Sequence, residues 1–178
     1  MKGQNTNEQI SLVPLGEQHL AQTLVWVSDP RIAEGMNLVP PSNAEEHRNW
    51  FERLKGDGFR RYFAIEERQG RHVGNCGLKD INTDGRSRHA ELWIYVAPEH
   101  QRQGIGEKAT RELLSVAFCE LKLHRVFLYA LELNRQAIAL YRKLGFKEEG
   151  KFRDHIFLNG TFHDAVYLGI LEEEFQTT

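Results

Sequence analysis

The chain has 178 residues, 40% of them apolar, and carries 23 Lys and Arg against 25 Asp and Glu for a formal net charge of -2. That length supports one domain with a sizeable core, read as a single unit over residues 1–178 with a flexible tail at 1–8. The near-neutral balance and the lack of a long basic run exclude a general nucleic-acid surface, and no stretch is long and apolar enough to cross a bilayer. Residues 1–9 are polar and lack a signal-peptide core, so a cytoplasmic protein is expected. Cys76 and Cys119 sit in apolar patterns and read as buried free thiols. The eight histidines show no ligand spacing with cysteine or acid, so no metal is expected.

In chain order, residues 10–15 alternate as a short first strand. Residues 18–27 carry Leu20, Leu24 and Val27 at helical spacing, with Trp26 on the flank. Asp29-Pro30 breaks that helix, and 31–36 reads as a short helix or turn. Ser42 or Asn43 caps the next helix, which holds acids in its first turn and carries His47, Trp50, Phe51 and Leu54 on one stripe. Three strands follow, at 61–66, 73–81 and 88–96, in the pattern of an antiparallel meander. Residues 104–121 form a helix with Ile105, Ala109, Leu113, Ala117, Phe118 and Leu121 on one face. A strand at 125–131 and a helix at 134–144 come next. The chain closes on a strand pair, where Asn159-Gly160 supplies the two positive-φ positions of a type I′ turn.

The stretch between the third meander strand and the long helix carries the chemistry. It reads Gln101-x-x-Gly104-x-Gly106. A turn that opens a helix leaves backbone N–H groups without partners, and the positive end of the helix dipole adds to their pull on a diphosphate. Glycines let a phosphate approach without a Cβ in the way. The spacing is neither Gly-x-Gly-x-x-Gly nor a P-loop. By itself, such a turn reads equally well as a tight structural one.

With the downstream pattern Asn134-x-x-Ala137-x-x-x-Tyr141-x-x-x-Gly145-Phe146, the chain resembles the GCN5-related N-acetyltransferase (GNAT) family from about residue 11 to 172. The resemblance implies an α+β fold: a mixed, mostly antiparallel sheet of about seven strands flanked by helices, splayed after the fourth strand. It implies acetyl-CoA as co-substrate and direct attack by a primary amine. Tyr141 matches the family's tyrosine near the CoA sulfur, a candidate acid, although its place on the apolar stripe also suits a core residue. Asn134 caps its helix and contacts the cofactor arm. Gln101, Arg102, Gln103, Gly104, Ile105, Gly106 and Glu107 cradle the pyrophosphate through backbone N–H groups. Arg102 stands where relatives often have glycine. Ile94, Tyr95 and Val96 offer strand backbone to the pantetheine amides.

Some relatives use an acid on the strand before the turn as general base, which makes Glu91 the candidate and His89 the second choice; Glu91 shares a strand face with His89, Trp93 and Tyr95. Proximity to Trp93 would raise the pKa of Glu91 by desolvation. Trp26, Arg31, Met36, His47 and Trp93 are the acceptor-pocket candidates, together with Trp50 and Phe59. Trp50 and Phe51 also read as core, and His47 as a surface or capping residue. His47-x-x-Trp50-Phe51 and Tyr62-Phe63-Ala64-Ile65 resemble GNAT enzymes that acetylate nucleotide-linked amino sugars. Arg153, Asn159-Gly160 and Asp164 occur there and in the ribosomal-protein alanine acetyltransferase branch. Trp26-Val27-Ser28-Asp29 departs from the Trp-Arg-Asn of both. The expected acceptor is a small-molecule amine, first of all a nucleotide-linked amino sugar. A protein N-terminus is the alternative acceptor, and a non-catalytic acyl-CoA sensor the alternative role. Homodimers are common in the family, and no sequence feature fixes an interface.

Overall fold

The computed structural model describes residues 10–176. The expected tail at 1–8 lies outside them. Seven strands form one sheet: β1 (Ser11–Pro14), β2 (Arg61–Glu67), β3 (Arg71–Asn82), β4 (His89–Val96), β5 (Arg125–Leu131), β6 (Lys147–Leu158) and β7 (Thr161–Leu171). Their order is β1-β2-β3-β4-β5-β7-β6, and every neighbouring pair is antiparallel except β4 with β5. The α helices are α1 (Leu20–Val27), α2 (Pro30–Gly35), α3 (Ala44–Leu54), α4 (Ile105–Ser115) and α5 (Arg135–Lys143).

Local chemistry sets the helix starts. Asp29 accepts from the Arg31 N–H at 2.9 Å, with Pro30 at the first position of α2 where its missing donor costs nothing. Asn43 accepts from Glu46 N–H at 2.9 Å, and Asn134 from Ala137 N–H at 3.1 Å. Both are side-chain caps for orphan first-turn donors. At the β6–β7 turn Asn159 has φ 51° and Gly160 φ 83°, the pair of positive angles a type I′ hairpin requires.

Three expectations need correction. The buried face of α1 is Leu20, Thr23 and Trp26, not Leu20, Leu24 and Val27. Trp26 is only 4% exposed because its ring packs against His72 and Tyr95 at 4.6 and 6.3 Å. The helix at 104–121 keeps α geometry only to Ser115 and then opens into a π turn, Val116–Glu120. On that turn Cys119 is exposed, so only Cys76 is a buried thiol.

The two faces of β4 serve different ends. Ala90 and Leu92 are buried in the main core with Ile105, Ala109 and Leu113 of α4, and Ile94 packs against it. Trp93 and Tyr95 point the other way, into a second cluster with Trp26 and Ile32. Parallel pairing with β5 runs only through His89↔Arg125, Ala90↔Val126 and Glu91↔Phe127. Beyond Glu91 the strands part, which is the expected splay.

Across β2, β3 and β4 the register lines up Tyr62, Gly77 and Trp93. Tyr62 and Trp93 meet edge to face at 4.8 Å. A Cβ on Gly77 would lie 2.6 Å from Tyr62 Cδ1, 2.7 Å from the Arg61 carbonyl oxygen and 2.9 Å from Trp93 Nε1. One of these neighbours is backbone and cannot swing aside. Gly77→Ala should therefore lower stability by about 1–3 kcal/mol, the usual cost of overpacking. Urea unfolding would measure it, and an unchanged midpoint would count against this packing.

Candidate active site

Two clefts meet at β4. The first, of about 310 Å³, lies between the splayed end of β4, the start of α4, α5 and α2. The second, of about 250 Å³, lies on the face of β3 and β4 turned toward α1 and α3. Met36 and Tyr95 line both.

The first cleft is built for an anion beside an extended chain. Gly104, at φ 80°, precedes α4 and offers no side-chain cap to the first-turn donors. Nothing lies within 4 Å of a Cβ placed there. A Cβ on Gly106 would meet Leu140 and Val96 at 3.7 and 3.8 Å, which is ordinary contact. The packing thus does not require that glycine, and its missing Cβ leaves room for a ligand to press against the helix end. Arg102 has φ 62°, the left-handed region where glycine is favoured, and it forms no ion pair among the described residues. Ile94, Tyr95 and Val96 line the cleft where β4 has lost β5 as a partner. This arrangement fits CoA: α4 donors for the pyrophosphate and a free strand edge for the pantetheine amides.

Of the other turn residues, Gln101 donates to the Val96 carbonyl at 3.0 Å and Gln103 to the Glu99 carbonyl at 3.3 Å, so both side chains shape the turn itself. Ile105 turns its side chain into the core. Glu107 is held by Lys143 at 2.6 Å. Arg31, expected near the acceptor, lines the cofactor cleft instead. Asn134 lines it too, with its Oδ1 engaged in the helix cap.

Tyr141 also lines this cleft. It is 8% exposed, with its ring edge-on to Phe146 at 5.6 Å. Burial pushes its hydroxyl up to about 12. Among the described residues no protein group bonds that hydroxyl, which leaves it for a ligand.

The second cleft is aromatic, with Trp50, Tyr62, Trp93, Tyr95 and Tyr129 among its walls. Among the described residues, Lys79 is its one charged lining residue. Glu91 does not line it; it pairs with Lys79 at 2.9 Å, its direct cross-strand partner. Burial opposes the Lys79 charge, but the hydrogen bond and charge of Glu91 outweigh this and hold its pKa above the ordinary lysine value. His89 packs on Phe127 at 5.9 Å, outside both clefts. His47 is buried rather than a surface or capping residue, and desolvation lowers its pKa. It stacks on Trp50 at 5.2 Å and so backs the cavity without lining it. Trp26 likewise sits behind Tyr95, Phe59 is 70% exposed away from both clefts, and Phe51 is core.

The sequence reading missed Thr23, Asn75 and Lys79. A signal was available for Asn75: it interrupts the run Val73-Gly74-x-Cys76-Gly77-Leu78. A polar side chain inside a central strand is buried and has to find partners.

Residues 9–147 match the acetyltransferase (GNAT) domain family, and the chain belongs to that family. It is 39% identical over 102 residues to YdaF of Bacillus subtilis (strain 168), provisionally named a ribosomal N-acetyltransferase; the match covers 57% of this chain and 56% of that one, so it spans just over half of that relative's length. It is 34% identical over 119 residues to the spermidine N(1)-acetyltransferase of Vibrio cholerae, covering 67% and 68%. The crystal structure of Vibrio cholerae spermidine N-acetyltransferase with CoA and spermine superposes with a TM-score of 0.89 at 28% identity, over 93% of this chain and 97% of that one.

The left-handed backbone at Arg102 leads to a measurable expectation. Arg102→Gly relieves strain of about 1–2 kcal/mol, partly offset by the extra freedom glycine gives the unfolded chain. Thermal denaturation should show a small net gain, and a loss of stability would contradict the assigned geometry.

Proposed function

We propose that the protein is an acetyl-CoA-dependent N-acetyltransferase acting on the primary amine of a small molecule by direct attack. One observation carries this reading. The unpartnered Tyr141 hydroxyl opens into the same cleft as the uncapped start of α4 and the free edge of β4. A binding module needs the helix end and the strand edge; it has no use for a buried phenol held free.

Acetyl-CoA supplies the acyl group and a thiolate leaving group. The Val96 N–H, on the edge of β4 that has lost β5, polarises the thioester carbonyl, whereas the Tyr95 N–H faces β3. Tyr141 donates a hydrogen bond to the departing sulfur. With a pKa of about 12 it stays protonated at neutral pH. A thiol titrates near ~8.5, so complete proton transfer from this phenol is uphill by roughly 5 kcal/mol. Tyr141 therefore works by hydrogen bonding to developing charge more than by giving up its proton. Glu91 is the carboxylate of the site, separated from the cavity by Lys79, and takes up the amine proton through water.

An amino sugar is the acceptor this reading favours. The cavity offers aromatic faces for the ring and, among the described residues, no lining carboxylate for a polycation. The relatives named for spermidine act on a polyamine, which calls for an acidic pocket. Beyond Tyr129, whose ring meets Phe152 and His155 at 6.4 and 5.3 Å, Arg153 on β6 suits the phosphate of a nucleotide-linked sugar. A cytoplasmic site of action belongs to the same proposal.

Release of free thiol from acetyl-CoA should appear with a nucleotide amino sugar and vanish without an amine. Spermidine, aminoglycosides and peptides beginning with alanine or serine serve as comparison acceptors. Tyr141→Phe should lower kcat about 10²-fold or more while CoA still binds. Because Tyr141 must stay protonated and its pKa is raised, kcat should show no descending alkaline limb from this group below about pH 11. Unchanged turnover in Tyr141→Phe would remove the tyrosine from the chemistry.

A further inference from the structure

The wall shared by the two clefts contains a buried polar cluster that the transfer reaction leaves unexplained. Asn75 is 1% exposed and lies directly across from Tyr95 in the β3–β4 register. Its Nδ2 donates to the Tyr95 hydroxyl at 2.6 Å and to Thr23 Oγ1, on α1, at 3.0 Å. Its Oδ1 accepts from His72 Nε2 at 2.8 Å. Desolvation lowers the pKa of His72, although the Asn75 bond partly opposes this; with Oδ1 facing Nε2, the ring carries a proton on that nitrogen.

The orientation has a chemical consequence. Both hydroxyls accept from Asn75 and also bond each other, so one of their two protons is spent between them and the other remains to give. The cluster therefore carries a surplus of donors. Thr23, Asn75 and Tyr95 all line the acceptor cavity. The charged group opposite them is the Lys79 ammonium, another donor, and among the described residues no carboxylate lines the space. A protonated polyamine brings only further donors to such a wall. An amine with an oxygen beside it brings the acceptor that the wall lacks.

We propose that the Thr23–Asn75–Tyr95 cluster sets the acceptor class. It selects amines with a hydroxyl or carbonyl oxygen on a neighbouring carbon, as in a 2-amino sugar or an α-amino amide, over alkyl amines and polyamines. The proposal rests on the acetyl-transfer reading above and narrows it. Tyr95 makes the contact, and Asn75 is the positioning residue that aims it. A site built to bond an oxygen discriminates strongly against an analogue without one, since its own polar groups are then left unpaired.

A matched set of amines tests this. Phenylalaninol and phenylalanine amide carry the oxygen, phenethylamine has the same ring without it, and spermidine and D-glucosamine extend the range. Binding to the CoA-loaded protein is read by calorimetry, and turnover by thiol release. The expected result is about tenfold or greater preference for each oxygen-bearing member over phenethylamine, with spermidine weakest. Tyr95→Phe should bring phenylalaninol and phenethylamine within about twofold of each other, chiefly by raising KM for the alcohol. Thr23→Val, a smaller change on another element, should narrow the preference in the same direction and covers the case in which Tyr95→Phe folds poorly. Equal binding of the matched pair by the wild-type protein would overturn the proposal, as would a preference that survives both substitutions. Oxygen-dependent binding without thiol release from any amine would sink the transferase reading and leave the assignment of the pocket standing.

Discussion

The sheet loses its pairing between β4 and β5 beyond Glu91 and Phe127, and both clefts depend on that loss. A strand edge with unpaired N–H and C=O groups inside a folded chain has to be satisfied by something. Here β4 continues to Val96 and the chain then turns directly into α4, whose first donors lack a side-chain cap. The open edge and the open helix end face one groove, so a single elongated ligand, amide-bearing at one end and anionic at the other, completes both. The turn itself is tied back by Gln101 to the last carbonyl of β4, which keeps helix and strand in fixed relation while neither is paired.

The polar chemistry of the acceptor side follows from register. Asn75 faces Tyr95, and Lys79 faces Glu91, because these are cross-strand partners on one face of β3 and β4. Between them Gly77 lies opposite Trp93, and the missing side chain lets Tyr62 close over it. A slip of one residue would send Asn75 and Lys79 into the core and turn Cys76 and Leu78 outward, so the hydrophobic pattern that stabilises the sheet also holds the polar groups in place.

Features that depend on neighbours in sequence were legible. The caps at Asn43 and Asn134, the Asn159-Gly160 turn and the turn into α4 are local chemistry, and their residues sit where the pattern predicts. The family resemblance supplied the splay, which no periodicity encodes. Features that depend on distant partners were not legible. Trp26 reads as a flank residue until His72 and Tyr95 are seen against it, and His47 as a surface residue until Trp50 stacks on it. Cys119 keeps an apolar neighbourhood in sequence, but the π turn swings it to the surface. Glu91 lies on the strand face that alternation predicts, but its cross-strand lysine, a distant partner in sequence, comes between it and the cavity.

The far edge of the sheet is β6, twelve residues long and exposed over nearly its whole length. A strand of that length with one unpaired side is a template for another chain to join. This one is interrupted twice, with its register shifting between Glu148 and Gly150 and again between Phe152 and Ile156, and Asp154 has a left-handed φ of 48°. Lysines, glutamates and an arginine punctuate the same stretch. A straight incoming strand would find neither a continuous ladder nor a neutral surface. The kink that brings His155 against Tyr129 thus also guards the molecule against growing by its edge.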